Sequence, residues 1–144
     1  MRIKTEIQIS RSPEDVFDFL TNFTNLTQWA QGVHTATHLE GDHSEVGAKY
    51  RITGGIVFYK LDNTYEVTAC ARPQRFAGRN EGLINFEEVY ELTPRDGGTH
   101  VSQTADVTLP GPAGVLSPLV RRMLGSQLSG DFKRLKKLLE SSNK

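Results

Sequence analysis

The chain has 144 residues, 37% of them hydrophobic, and its seventeen basic and seventeen acidic side chains cancel to zero net charge. This size predicts one domain, 1–144, with a single core, and the charge balance argues against a dedicated nucleic-acid or polyanion binder. One cysteine, Cys70, excludes an internal disulfide and suits a reducing compartment.

Met1 to Glu6 alternate apolar and charged residues, with no apolar core of a secretory signal. No run reaches the roughly 18 apolar residues of a membrane span, so a soluble cytoplasmic protein is expected. Two glycosylation sequons, at Asn22 and Asn25, are then chance matches.

Ile3, Thr5, Ile7 and Ile9 alternate with Lys4, Glu6 and Gln8, which predicts a half-buried strand. Ser12-Pro13-Glu14-Asp15 then opens a helix, with Ser12 as N-cap, Pro13 at the first helical position and Asp15 completing a capping-box pattern. Val16, Phe17, Leu20 and Phe23 carry its apolar face. A second short helix near Leu26–Gln31 presents Leu26, Trp29 and Ala30, and Gly32 ends it.

From Val33 to Leu109 the period shifts to two. Strands are expected near 33–40, 47–54, 56–61, 64–71, 75–81, 84–93 and 99–109. Turn signals divide them: Gly41-Asp42, Gly54-Gly55, Asp62-Asn63, Arg72-Pro73, Glu81-Gly82 and Asp96-Gly97-Gly98. Gly54-Gly55 also fits a bulge inside one longer strand. Such short connections make the sheet antiparallel.

After the helix-breaking Pro110-Gly111-Pro112, apolar residues recur at helical spacing from Ala113 to about Glu140: Leu116, Leu119, Val120, Met123, Leu124, Leu128, Phe132, Leu135, Leu138 and Leu139. A helix this long spans roughly 40 Å and lies along the whole concave side of a small sheet. Gly125 and Gly130 weaken it by roughly 1 kcal/mol each, and mark either a bend or a close approach. Lys133 to Lys137 suit the negative end of the helix dipole. The order β, α, α, six or so β, long α is an α+β layer with helices on one face of an antiparallel sheet. A curved sheet around a long helix implies a ligand-binding cup.

Certain residues in this order resemble a known superfamily. They are Ile7-Gln8-Ile9, the run from Ser12 to Leu20, Asn22-Phe23 and Trp29, and Val46-Gly47-Ala48-Lys49-Tyr50. Tyr65-Glu66-Val67-Thr68, Pro73, Phe76 and Gly98-Thr99 follow. Across essentially the whole chain the pattern resembles the START-like, Bet v 1-like superfamily, and within it the polyketide cyclase/dehydrase and lipid transport family. The resemblance implies a helix-grip fold, in which a curved seven-stranded antiparallel sheet wraps a long C-terminal helix and two short helices after the first strand plug one end. It implies binding of lipids, sterols, polyketides or plant hormones, and in some members cyclase or dehydratase activity. The family has no universal catalytic motif, so no catalytic residue carries over.

Few residues suggest chemistry on their own. His34 and His38 lie about 13 Å apart on a strand, too far to share an ion at about 2 Å per bond. They alternate with Val33, Thr35, Thr37 and Leu39 and read as outward, solvated residues, as do His43 and His100. Alternation puts Phe86, Glu88, Tyr90 and Leu92 on one face, with Glu87, Val89 and Glu91 on the other. An inward Glu88 would be a general base or a polar anchor with a raised pKa, and is the candidate catalytic residue. A register shifted by one, or pairing with a rim arginine, would make it structural. Gln103 is the polar member of the inward set Val101, Ala105, Val107 and Leu109; it serves either a ligand or a buried backbone group.

Trp29, Tyr50, Phe58, Tyr59, Tyr65, Phe76, Phe86 and Tyr90 supply aromatic surface, for a cavity or for plain packing. Cys70 reads as a buried small apolar residue. No glycine-rich phosphate loop, Gly-x-Ser-x-Gly or Cys-x-x-Cys occurs, so neither a cofactor nor a metal is expected. The candidate ligand-lining set is Trp29, Tyr50, Tyr65, Phe76, Phe86, Glu88, Tyr90, Gln103 and Met123. Three functions compete: a carrier of a small hydrophobic molecule, a cyclase or dehydratase using Glu88, and a protein-interaction module with a filled core and an exposed apolar patch.

Overall fold

The structure, a computed structural model, describes residues 1–43, 45–56, 59–109 and 118–141. Strand β1 (Arg2–Ile9) leads into helix α1 (Pro13–Thr21), a 3-10 turn (Phe23–Asn25) and helix α2 (Leu26–Trp29). Strands β2 (Val33–Glu40), β3 (Lys49–Ile56), β4 (Tyr59–Ala71), β5 (Arg75–Gly82), β6 (Asn85–Arg95) and β7 (Gly98–Thr108) follow, then helix α3 (Pro118–Ser141). The expected Pro110-Gly111-Pro112 break and the start of the long helix at Ala113 lie outside the described residues, as does Phe58. Among the described residues no helix is long and apolar enough to cross a membrane.

The seven strands form one antiparallel sheet in the order β1-β7-β6-β5-β4-β3-β2. Only β1 pairs out of sequence, returning to lie beside β7. The sheet grips α3, whose Val120, Leu124, Phe132, Leu135 and Leu139 are buried. Leu119, also part of the expected stripe, is 61% exposed.

Local chemistry explains the first helix. Ser12 Oγ accepts the Asp15 N–H at 3.2 Å, which satisfies one of the first-turn donors. The Asp15 carboxylate instead takes Arg11, at 3.0 Å. Neither sequon asparagine is idle. Asn22 Oδ1 accepts from the Thr24 N–H and hydroxyl, and Asn25 Nδ2 donates to Phe19 O.

One turn expectation is corrected. Asp62-Asn63 lies in the middle of the 13-residue β4, so the segments 56–61 and 64–71 are not separate strands. The β3–β4 pairing instead closes at Ile56 and Tyr59, with Gly54-Gly55 inside β3. Asn63 is buried and inward, and its amide grips the next hairpin: Nδ2 donates to Ile84 O and Oδ1 accepts from Leu83 N at 3.1 Å. A turn-forming residue type here serves a turn some twenty positions away.

The helix C-terminus is also held differently from expectation. No basic residue occupies the last turn of α3. The Arg11 guanidinium donates to Leu139 O at 2.6 Å, and Ser10 N–H donates to Glu140 Oε2 at 2.9 Å. Lys136 Nζ reaches Gln8 O at 2.9 Å, while Lys133 and Lys137 are exposed. The β1–α1 corner thus clamps the end of the long helix. Cys70 is half-buried rather than buried, because a register shift between Val67 and Ala69 interrupts the alternation of β4.

Candidate functional site

Pairing register assembles three rows of side chains across the inward face. The first runs Tyr50, Tyr65, Asn80, Phe86, Val107. The second runs Val67, Gly78, Glu88, Ala105, and the third Phe76, Tyr90, Gln103, Thr5. Neighbouring strands bring same-face residues within about 5 Å of one another, so polar groups distant in sequence meet inside.

Between these rows, α2 and α3 lies a chamber of about 90 Å³. Its walls are mainly apolar, including Phe23, Leu26, Ile52, Leu61, Leu124, Leu128 and Phe132. This is smaller than the few hundred Å³ usual for a ligand pocket; in its lining the Phe132 ring packs at a tilt against Trp29 and Tyr90, at 6.4 and 6.3 Å between centroids. An open depression of about 700 Å³ adjoins it, sharing Gly32, Gly55 and Gln127 with the chamber.

The chamber has one polar wall. Gln103 Nε2 donates to Glu88 Oε1 at 2.9 Å and to the Tyr90 hydroxyl at 3.1 Å. Glu88 is 6% exposed, and burial pushes its carboxyl above the ordinary value; the neighbouring Tyr65, Gln103 and Tyr90 favour the charged form and offset this only in part. Burial likewise holds the Tyr65 and Tyr90 hydroxyls well above the usual phenol value, with the Glu88 charge adding to it.

Opposite, on α3, Asp131 accepts from Gln31 N–H at 3.0 Å and from Arg134. Burial raises its carboxyl, with Gln31 and Arg134 acting against the shift. Arg134 also donates to Trp29 O at 3.0 Å, so one helical turn of α3 positions both α2 and the Trp29 ring.

Several polar atoms in this wall are buried without a hydrogen bond among the described residues: Trp29 Nε1 and both amide atoms of Asn80. The Tyr65 hydroxyl also makes none of good geometry, although Glu88 lies close enough for each to shift the other's proton affinity. Gly78 is the seat of the Tyr65 ring: a Cβ there would overlap the ring and its hydroxyl.

Of the residues expected from sequence, Trp29, Tyr65, Phe86, Glu88, Tyr90 and Gln103 line the chamber. Tyr50 and Phe76 do not; both are fully buried against Phe23, at 5.4 and 5.7 Å between ring centroids. Met123 borders the outer depression instead. Glu88 points inward and accepts from Gln103, with no arginine on it among the described contacts. Asn80 and Asp131 were missed. Asn80 follows Phe76 and Gly78 at period two, and Asp131 occupies a buried position on the α3 stripe. Either polar residue on an apolar face was the available signal.

The histidines stay outside the chamber. His34 and His38 are exposed, but His38 pairs with Tyr50 and so shares the inward face rather than the outward one. His38 and His43 stack at 4.1 Å, and His43 Nδ1 meets the Tyr50 hydroxyl at 2.6 Å. Among the described residues no group of three or more His, Cys, Asp or Glu could hold a metal ion.

Comparison with known proteins agrees with this fold. Residues 1–140 match the profile of the family described as polyketide cyclase / dehydrase and lipid transport. The protein TTHA0849 from Thermus thermophilus superposes with a TM-score of 0.86 at 18% identity, covering 100% of both chains. A START superfamily protein from Mycobacterium smegmatis superposes at 0.78 and 17%, covering 99% of each. Ara h 8.0201 does so at 0.73 and 14%, covering 98% of each. No curated protein matches the sequence significantly. With its helix-grip fold, the chain belongs to the polyketide cyclase / dehydrase and lipid transport family.

Proposed function

We propose that this chain binds a compact, mostly apolar molecule with a polar edge in the chamber between sheet and α3. The observation that carries this reading is the set of buried, unpartnered polar groups among the residues that line the chamber: Trp29 Nε1 and the Asn80 amide. An unsatisfied buried group costs about 1–3 kcal/mol, and a ligand with matching hydrogen-bonding atoms recovers it. The chamber takes one ring or a chain end of the ligand, and the adjoining open depression of about 700 Å³ takes the rest of a larger molecule. A filled core, which an interaction module requires, is not what these groups favour.

The test uses N-phenyl-1-naphthylamine, a neutral apolar fluorophore. The wild-type protein is expected to bind it, and Leu128→Trp, which fills the chamber, to weaken binding at least tenfold. Equal binding by both proteins overturns the reading. Asn80→Leu provides an independent arm: it removes a stranded amide with little change of shape, so the free protein is expected to melt higher. A lower melting temperature would show that Asn80 is satisfied without a ligand.

One observation favours a second, enzymatic reading. Glu88 is a buried carboxyl with a raised pKa beside two tyrosines and an amide, an arrangement suited to proton transfer on a cyclising or dehydrating substrate. Glu88→Gln retains the hydrogen bond from Gln103 and removes the titrating group. Unchanged turnover of an identified substrate by that variant excludes the catalytic role.

A further inference from the structure

The chamber and the outer depression differ in charge. Glu88 and Asp131 line the chamber. Among the described residues no carboxylate lines the depression, and its charged lining residue is Arg122, accompanied by His34, Gln31 and Ser126. Arg122 is exposed and, like Arg75 and Arg121, is in no ion pair among the described residues, whereas Arg2, Arg11, Arg51, Arg72, Arg79, Arg95 and Arg134 are paired.

Gly32, Gly55 and Gln127 line both spaces and, in contact with one another, separate them at a closed neck. One side is fixed: Gly55 N–H donates to Gly32 O at 2.7 Å. A Cβ on Gly32 would overlap Gly55 O and come 2.5 Å from Gln127 Nε2, so only glycine allows this approach. The other side is a side chain: Gln127 Nε2 reaches Gly55 O at a long 3.4 Å. Gln127 sits between Gly125 and Gly130, and a Cβ on either would meet nothing within 4 Å. These glycines therefore answer no close contact; they soften the helical turns that carry Gln127.

We propose that the neck beside Gln127 is the entrance to the chamber, and that Arg122 outside it holds an anionic group of the ligand. The ligand is then an apolar acid, bound body first with its acidic group outermost. Its acid cannot sit deeper, since a buried anion facing two carboxyls loses its hydration without gaining a counter-charge. The unpartnered Trp29 and Asn80 groups belong to the lining of the chamber into which this path leads. This rests on the chamber being a ligand site, and the experiment separates the two claims.

Two fluorophores share one skeleton: neutral N-phenyl-1-naphthylamine and its sulfonated counterpart, 8-anilinonaphthalene-1-sulfonate. Arg122→Ala is expected to weaken the sulfonate probe about threefold to fivefold, the worth of a solvent-exposed ion pair, and to leave the neutral probe unchanged. Arg122→Glu should weaken the sulfonate probe further. Gln127→Trp should slow association of both probes. If the neutral probe fails to bind wild type, the chamber reading itself falls. If it binds and the sulfonate probe ignores Arg122→Ala and Arg122→Glu, the anion assignment falls alone. Unchanged association rates in Gln127→Trp place the entrance elsewhere. Sulfonate binding that survives Leu128→Trp while neutral binding is lost puts the anion outside the path and overturns the proposal.

Discussion

Glu88 shows how much of a site one alternating strand can announce. Period two on β6 makes Phe86, Glu88, Tyr90 and Leu92 a single face, and the apolar members mark that face as inward. Its consequence for stability has a definite sign. The folded state raises the carboxyl above its ordinary 4.5, so between that value and the raised one the folded protein holds a proton that the unfolded chain has lost. Stability therefore falls as pH rises through this window. Glu88→Gln is expected to match wild type at low pH and to melt higher at neutral pH. Asp131 is raised in the same direction, but remains in both proteins and cancels in the difference. Parallel melting curves across the range would show that the carboxyl is solvated. Asn80 was not legible in the same way, because charged Arg79 and Glu81 on either side disguise an inward position as a polar rim.

At the scale of elements, Asn63 shows why a residue type can mislead. Asp-Asn is a strong turn signal, yet β4 runs straight through it because Asn63 spends its amide on the β5–β6 connection. Asn63→Ala is expected to destabilise the fold by about 2 kcal/mol, since it strands buried backbone groups at Leu83 and Ile84. Hydrogen exchange should localise the loosening to the 82–85 turn; protection lost evenly across the sheet would contradict this role. Gly78 poses the converse case, an absent side chain with a specific use. Gly78→Ala is expected to cost about 1–3 kcal/mol as an overpacking change and to push the Tyr65 ring into the chamber, which weakens binding of the neutral probe. Near-wild-type stability and binding would mean that Tyr65 relaxes freely.

Across the whole molecule, the grip on α3 depends on its middle and its end being tied differently. Near its middle, Asp131 and Arg134 hold α2 and the chain after it. At its C-terminus, Arg11 and Ser10 from the β1–α1 corner take up the last carbonyl and carboxylate partners. Arg11→Ala is expected to lower stability by about 1–2 kcal/mol through loss of a charge-assisted hydrogen bond to a helix end, with faster exchange in the last turn of α3 and unaltered probe binding. Weakened binding would instead show that the whole helix, not its end, shifts.

The sequence by itself determined the succession of first strand, short helices, antiparallel strands and long helix, though not where β4 begins and ends, together with the capped start of α1, the inward face of β6 and β7 and the amphipathic final helix. Each depends on periodicities and caps acting within a few residues, where local chemistry decides. Tertiary structure alone decided the rest. It set Gln103 against Glu88 across fifteen positions, Asp131 against Gln31 across one hundred, and Arg11 on the far end of α3. It also moved Tyr50 and Phe76 out of the chamber and brought Asn80 into it. Register and helix placement are collective outcomes of burying one continuous face, and no local pattern carries them.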